Sequence, residues 1–453
     1  MNKILRGFST VKSMKYIKDK QPILKISELP SGIKIFTEQT AFPFASDIGI
    51  CFKAGLRNEL PSETGSLFSL NQHMYHISEN DCLENLQIYQ LFSEQTLRTG
   101  CMLDQTYDSE LSYWKCQFIQ EDFDMIVDVL LKLALTTKRI AKETRDQFSQ
   151  MNIPQERMTV DEVIKRAAFG THPLTNAKTS AQILPKQEDF SRFQEQMLTS
   201  QNMIIGYAGV WSHEQFREYI EKKLVNHQQF FQRQLRKQTS PEFHSQVFAL
   251  NDEKNDTLDI ALLFKGSKWS DKNMPTQHIL NQILGSSSSW STGGPGKGMR
   301  SRTTLNLMQS IQSVEEAAGV SQVFSDAGIF GLRVQGPPSS KQELYECLID
   351  EFRQLGQPMS DEEFQRGKNI AITLINLNLE RQADRLEEQI KTTFLMGQNA
   401  VPLYESLIEN VTKEQLQDYV KNFINNSEPT LMYYGKNVKD IPTMQQIKKN
   451  LRK

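Results

Sequence analysis

The sequence predicts an α+β protein made of two duplicated halves, and three observations support this fold class. Residues 47–54 and 259–266 match in residue type at an offset of 212 positions, and both have the apolar, β-branched composition of strands. Each segment precedes a helical stretch, at 61–75 and at 275–284. Each half then closes with a helix and an apolar strand that ends in glycine. A repeat of this length indicates that one structural unit occurs twice.

The remaining elements occur in the same order in both halves. In the first half the predicted elements are a strand at 110–118, a helix at 121–135, a helix at 190–197 and a strand at 203–206. In the second half they are a strand at 329–334, a helix at 341–355, a helix at 413–423 and a strand at 431–435.

The chain divides into three predicted segments. The polar stretch 226–245 separates the halves, which gives domains at 25–240 and 241–453. Residues 1–24 are different, because they are basic, contain serine, have no acid before Asp19 and place apolar residues at helical spacing. This composition is typical of a mitochondrial transit peptide, and a disordered basic tail is the alternative.

Composition excludes several classes of protein. Of the 453 residues 23% are charged and the net charge is −2, so the basic footprint of a nucleic-acid-binding protein is missing. The five cysteines include no Cys-x-x-Cys pair, which favours reduced, mostly buried thiols; they are Cys51, Cys82, Cys101, Cys116 and Cys347. No run of 18 or more apolar residues occurs, so we predict no membrane span.

Residues 286–302 form the most unusual segment of the chain. A serine run and Trp290 precede four glycines within the six positions 293–298. The segment does not fit a phosphate-binding Walker loop, because Lys297 is followed by glycine, and the serine run stands where a dinucleotide-binding loop needs a strand. A flexible linker is one alternative. We favour a loop that contacts a peptide or a partner, because glycine-rich backbone allows another chain to approach closely.

Two stretches, NMPTQHILNQILG at 273–285 and GGPGKGM at 293–299, resemble the pitrilysin-type metallopeptidase family. Within it, the resemblance is to the group formed by alpha subunits of mitochondrial processing peptidases and core proteins 2 of ubiquinol–cytochrome c reductase. It extends from Lys25 to the C-terminus. The resemblance implies two domains of the pitrilysin/LuxS-like metallohydrolase type, each a mixed, mainly antiparallel sheet with helices on one face.

Catalytic members of this family bind zinc through His-x-x-Glu-His on the first helix of the N-terminal half. When the segment is aligned on Gly65, Phe68 and Gln72 replace the two histidines and Asn71 replaces the glutamate. Phenylalanine cannot ligate a metal and asparagine cannot accept a proton. His73 and His76 lie three residues apart, but no glutamate lies between them, and a pair of surface or core histidines is the simpler explanation. We therefore expect no metal, no cofactor and no independent peptidase activity in this chain.

The resemblance also implies a role for the glycine-rich loop. In the family the alpha subunit pairs with a beta subunit that carries zinc, and the two hold a presequence peptide in an extended form. The implied substrate-binding residues are Gly293, Gly294, Pro295, Gly296, Lys297, Gly298 and Met299. Lys297, Arg300 and Arg302 would repel a basic presequence, so we expect them to meet acids of the beta subunit.

Two functions remain open at this stage. One is a non-catalytic subunit that recognises presequences for the zinc-bearing beta subunit and also serves as a matrix-side core subunit of respiratory complex III, and the retained glycines favour it. The other is a purely structural core protein of respiratory complex III, with core protein 1, cytochrome b and cytochrome c1 as partners. Both imply a location in the mitochondrial matrix, peripheral to the inner membrane.

Overall fold

The computed structural model describes residues 23–40, 44–75, 98–135, 157–178, 184–225, 238–288, 300–396 and 401–452, together with Glu94 and Arg236. Contacts divide the chain into two compact units. Unit 1 comprises 1–154, 180–237 and 379–394, and unit 2 comprises 155–179, 238–378 and 395–453. Each unit is built around one six-stranded sheet.

The sheet of unit 1 contains β1 (Ile23–Glu28), β2 (Lys34–Gln39), β3 (Ala45–Phe52), β4 (Met102–Tyr107), β5 (Ser112–Ile119) and β6 (Met203–Gly209). Their order across the sheet is β1-β2-β6-β3-β5-β4. Strands β2 and β6 run parallel, and the other neighbours are antiparallel. The sheet is therefore mixed and mainly antiparallel, as predicted.

The sheet of unit 2 contains β7 (Val247–Asn251), β8 (Leu258–Lys265), β9 (Ser286–Ser288), β10 (Glu316–Val323), β11 (Gly328–Gly336) and β12 (Thr430–Gly435). Their order is β7-β12-β8-β11-β10-β9, with β7 and β12 parallel. The two sheets also pair equivalent residues of their central strands. Asp47 pairs with Gln117 in the first sheet, and Asp259 pairs with Gln335 at the equivalent place in the second.

Twelve α-helices occur among the described residues. Those of unit 1 are α1 (Ser66–Tyr75), α2 (Phe123–Leu135), α4 (Gln187–Met197), α5 (His213–Leu224) and α9 (Gln382–Met396). Those of unit 2 are α3 (Val160–Phe169), α6 (Met274–Leu284), α7 (Lys341–Leu355), α8 (Asp361–Asn378), α10 (Val401–Glu409), α11 (Lys413–Asn426) and α12 (Met444–Leu451). Capping boxes fix where several of them begin, with Thr159, Ser212, Thr412 and Thr443 as N-caps.

Each sheet packs one face against most of the helices of its unit. In unit 1, Phe190 and Phe193 of α4 and Leu130 of α2 are buried with Ile50 and Trp114 of the sheet. In unit 2, α6, α7 and α11 cover the sheet in the same way. These apolar contacts confirm the prediction of helices packed on a duplicated sheet, and they provide most of the favourable free energy of folding.

The opposite face of each sheet carries one helix, and that helix comes from the other half of the sequence. Helix α9 buries Leu386 and Ile390 in unit 1, and a side chain at Gly206 would come within 2.2 Å of the Ile390 Cδ1 atom. Helix α3 buries Val163 and Ala167 against the sheet of unit 2. This reciprocal exchange of two helices was not predicted from the sequence.

The predicted helices and strands are all present, although the helix predicted at 61–75 begins only at Ser66, after a 3-10 turn at Pro61–Glu63. Four cysteines, Cys51, Cys101, Cys116 and Cys347, are buried and form no disulfide among the described residues, as expected, while Cys82 lies outside the described residues. Residues 1–22 also lie outside them, so the transit-peptide prediction is not tested. No helix in the described part of the chain is long and apolar enough to cross a membrane.

We predict that Arg385→Gln destabilises unit 1. The Arg385 guanidinium donates three hydrogen bonds of 2.6–3.0 Å to the Glu38 carboxylate, whose side chain is fully buried. Loss of the guanidinium leaves a buried charge without its partner, which costs about 3–5 kcal/mol in the free energy of unfolding. Urea unfolding would measure this cost.

The matched control is Arg381→Gln, which removes an exposed arginine that lies directly before the same helix and pairs with Asp384. We expect its effect to stay within about 0.5 kcal/mol. Equal effects of the two substitutions would show that the buried pair does not stabilise unit 1.

Candidate functional site

The helix that would carry a zinc motif is α1, and its residues lie in hydrophobic surroundings. Leu67 and Leu70 are buried in the core of unit 1, and Phe68 is partly buried and packs against that core. Asn71 is half-buried, and the Gln72 side chain lies outside the described part of the structure. The position predicted for the first zinc ligand is therefore used for apolar packing.

A buried carboxylate holds the first turn of α1. The Glu59 side chain is 2% exposed, and its oxygens accept hydrogen bonds from the backbone N–H groups of Leu67 at 2.7 Å and Gly65 at 3.1 Å. These N–H groups belong to the first turn of the helix and have no partner within it, so a negative charge is favourable there. Burial nevertheless dominates and raises the pKa of Glu59 to about 7.

A second acid, Glu63, ties the same turn to the rest of unit 1. The Arg236 guanidinium donates to it at 2.6 and 2.7 Å, and the Arg192 Nε atom donates at 2.9 Å. Burial opposes the charged form of Glu63, but these hydrogen bonds outweigh it and hold its pKa below the usual value. Both acids nearest to α1 are thus used to position the helix.

The residues present at this site do not fit a zinc ion. Zinc requires three or four nitrogen, sulfur or carboxylate ligands around one point. Phe68 offers none, and the carboxylates of Glu59 and Glu63 are already hydrogen-bonded. Across the described residues, no group of three or more His, Cys, Asp or Glu side chains is arranged to hold a metal. His73 and His76 have no described side chains, so the prediction for them stays a prediction.

The glycine-rich loop itself, at 293–299, lies outside the described residues, but both of its ends are described. The incoming chain forms β9, which pairs with β10 directly after Gly285. The outgoing chain places Ser301 so close that a side chain on Gly285 would come within 2.3 Å of the Ser301 Cβ atom. Gly285 has a φ of +75°, which favours glycine. The loop is therefore closed at its base by contacts within unit 2.

One of the three basic residues of this segment has a partner in its own unit. Arg302 donates to both oxygens of Glu363, at 2.7 and 3.2 Å, and its Nη1 atom lies 3.5 Å from Glu351. Burial opposes the charged form of Arg302, but these carboxylates raise its pKa. Arg302 therefore finds its acidic partners within this chain, whereas the sequence led us to expect them on the beta subunit. Arg300 is exposed, and Lys297 lies outside the described residues.

Unit 2 contains a cavity that the sequence did not predict. It has a volume of about 820 Å³ and lies where α6 begins, with Lys265, Asp271 and Tyr419 among its lining residues. Buried Gln277 accepts hydrogen bonds beside it, from the Ser267 backbone at 2.6 Å and from Tyr419 at 3.1 Å. The only indication of this cavity in the sequence is the length of one connection. The connection from β8 to α6 in unit 2 is shorter than the connection from β3 to α1 in unit 1, which contains Glu59 and Glu63.

We predict that Glu59 makes the stability of unit 1 depend on pH. Its pKa is raised in the folded protein, so its contribution to stability is full below about pH 4.5 and is lost as the pH rises through about 7. Relative to Glu59→Gln, the wild type should lose on the order of 2–3 kcal/mol between those values. Urea unfolding at pH 5 and pH 8 would measure the difference.

The control for this experiment is Glu221→Gln, at an exposed position on α5. Its difference from the wild type should be the same at both pH values. If Glu59→Gln behaves in that way too, Glu59 does not titrate in this range.

Comparison with known proteins gives consistent results. Residues 186–371 match the family described as the peptidase M16 inactive domain. The mitochondrial-processing peptidase subunit alpha of Caenorhabditis elegans is 22% identical over 93% of this chain and 87% of its own length. That of Solanum tuberosum is 22% identical over 94% of this chain and 85% of its own length.

A solved structure shows the same fold. A chain of "Complex III2 from Candida albicans, Inz-5 bound" is similar with a TM-score of 0.73 over 94% of this chain and 99% of that one, at 16% identity. The resemblance inferred from the sequence is therefore confirmed: residues 186–371 match the peptidase M16 inactive domain, and along most of its length the chain is similar to alpha subunits of mitochondrial processing peptidases.

Proposed function

We propose that this chain is a non-catalytic alpha subunit that recognises presequences for a zinc-bearing beta subunit of a mitochondrial processing peptidase. The observation that carries the proposal is the combination of similarity to alpha subunits over more than nine-tenths of the chain with a helix α1 that has no zinc ligand at Phe68. The names of the relatives indicate a mitochondrial location. The matrix side and the beta partner are part of the proposal.

The described structure supports this role in two ways. First, α1 is held by Glu59 and Glu63, so the unit keeps its fold without the chemistry of a peptidase. Second, the described residues at the two ends of the glycine-rich loop, Gly285 and Ser301, lie close together, and Arg302 beside them is neutralised by Glu363 and Glu351. A basic presequence would therefore meet less positive charge at the loop than the sequence suggests.

Replacement of the six loop residues 293–298 by a rigid, proline-rich segment of the same length should reduce presequence cleavage by the purified two-subunit enzyme at least tenfold. The reason is that a glycine-rich backbone can adapt to peptides of different sequence, whereas a rigid segment cannot. Cleavage of a fluorogenic presequence peptide, measured at several peptide concentrations, would show the loss.

The matched control replaces the same residues with Gly-Ser-Gly-Ser-Gly-Ser, which keeps backbone freedom and removes Pro295 and Lys297. We expect this variant to retain most of the activity. If the rigid variant cleaves as fast as the wild type, the loop does not recognise presequences and the proposal is wrong.

The similarity to a chain of complex III favours a second candidate function, that of a core subunit of this complex with cytochrome b and cytochrome c1 as partners. The two functions are compatible, because one chain can serve both. Gentle solubilisation of the inner membrane followed by native electrophoresis tests it. Comigration of this chain with the cytochrome subunits is the expected result, and its absence would rule out the second function while leaving the first in place.

A further inference from the structure

A small cavity in unit 2 lies where the chain returns from the glycine-rich loop. Its volume is about 360 Å³, at the lower end of the range for small ligand sites. Three arginines line it, Arg300, Arg302 and Arg366, together with the amide side chains of Asn306, Gln354 and Gln357 and the carboxylate of Glu363, which is paired with Arg302. We call this cavity the arginine pocket.

The charges of the arginine pocket are not balanced. Arg302 is paired with Glu363 and Glu351, and its side chain is only 12% exposed. Arg300 and Arg366 have no ion pair with any described residue. Two guanidinium groups therefore face the cavity region with uncompensated charge, while the third is fixed in place as part of its wall.

Hydrogen-bond donors outnumber acceptors in the arginine pocket. Asn306 donates to the Gln354 Oε1 atom at 3.4 Å and to Glu351 at 2.8 Å. The amide group of Gln354 therefore presents its N–H donors, and each arginine adds N–H groups that can pair with two oxygens at once. A lining of this kind suits an oxyanion and is unfavourable for a cation.

The pocket also has an apolar side. Leu305, which is 42% exposed, is one of its lining residues. A free inorganic anion gains nothing from this side chain, whereas the methylene groups of an aspartate or glutamate side chain can pack on it while the carboxylate meets the arginines. The combination therefore favours a carboxylate carried on a peptide.

We propose that the arginine pocket binds an acidic side chain of a peptide segment from a partner protein. A presequence is basic and would be repelled here, so this site goes beyond the proposed function and does not depend on it. The ligand of the arginine pocket is therefore acidic, whereas a presequence is basic.

Binding of a fluorescent peptide that contains two glutamates tests this proposal on the full-length protein. A second peptide with glutamine in place of both glutamates is the ligand control. We expect Arg300→Gln combined with Arg366→Gln to weaken binding of the acidic peptide about tenfold or more, because each charge-assisted hydrogen bond contributes substantially. The neutral peptide should bind weakly to every variant.

The matched protein control is Lys421→Gln combined with Lys449→Gln, which removes two exposed positive charges of the same unit outside the pocket. It should bind the acidic peptide like the wild type. Equal weakening by both pairs of substitutions, or equal binding of the neutral peptide, would overturn the proposal.

A competition experiment distinguishes a carboxylate carried on a peptide from a free anion as the ligand of the pocket. Acetate or inorganic phosphate should displace the acidic peptide only at concentrations far above that of the peptide. If phosphate competes as well as the peptide does, the pocket is a phosphate site and the assignment to a peptide carboxylate is wrong. Thermal unfolding of both double variants checks that they are folded, and since Arg300 is exposed we expect unchanged melting.

Discussion

The structure depends on the pairing of a buried carboxylate with a guanidinium from the far end of the chain. Glu38 lies on β2, and Arg385 lies 347 residues later on α9. An unpaired carboxylate in this position would cost several kcal/mol, so α9 must remain on this face of the first sheet. Gly206 makes the close approach of Ile390 possible. Because α3 covers the second sheet in the corresponding place, neither half of the sequence contains every residue that its own sheet needs.

The contacts of helix α1 explain how the fold persists without the zinc ligands. Helix α1 contributes Leu67 and Leu70 to the core, so it is needed for stability whether or not a metal binds. Glu59 and Glu63 hold its first turn, because their carboxylates accept hydrogen bonds from backbone N–H groups and from arginine side chains. Since the helix has structural partners of its own, substitutions at Phe68 and Asn71 remove catalytic chemistry at little cost to the fold. A non-catalytic subunit can thus keep the architecture of a peptidase.

The sequence predicted the parts of the fold that local periodicity determines. Central strands such as Ala45–Phe52 and Leu258–Lys265 are rich in apolar residues and buried along almost their whole length, and Lys341–Leu355 has a clear helical pattern. The edge strands, such as Ile23–Glu28, are short and largely exposed, so their pattern is weak and they were missed. The inner strands Lys34–Gln39 and Glu316–Val323 were missed as well. The exchange of α3 and α9 could not be found, because it depends on contacts between residues hundreds of positions apart. At the site, the missing ligands were visible in the sequence, but the roles of Glu59 and Arg302 depend on burial and on partners that only the fold brings together.

The basic residues at the glycine-rich loop differ in the partners that surround them. From the sequence, Lys297, Arg300 and Arg302 form one basic cluster that conflicts with a basic substrate. The structure divides this cluster, because Arg302 belongs to a half-buried network with Glu363 and Glu351, whereas Arg300 joins Arg366 at an open cavity. A basic residue with buried acidic partners stabilises the base of the loop and presents little net charge to a ligand. A basic residue without such partners keeps its full field and attracts an anion. The conflict between a basic loop and a basic presequence is therefore reduced at Arg302, which serves the fold, whereas Arg300 keeps its charge for the acidic ligand proposed for the arginine pocket.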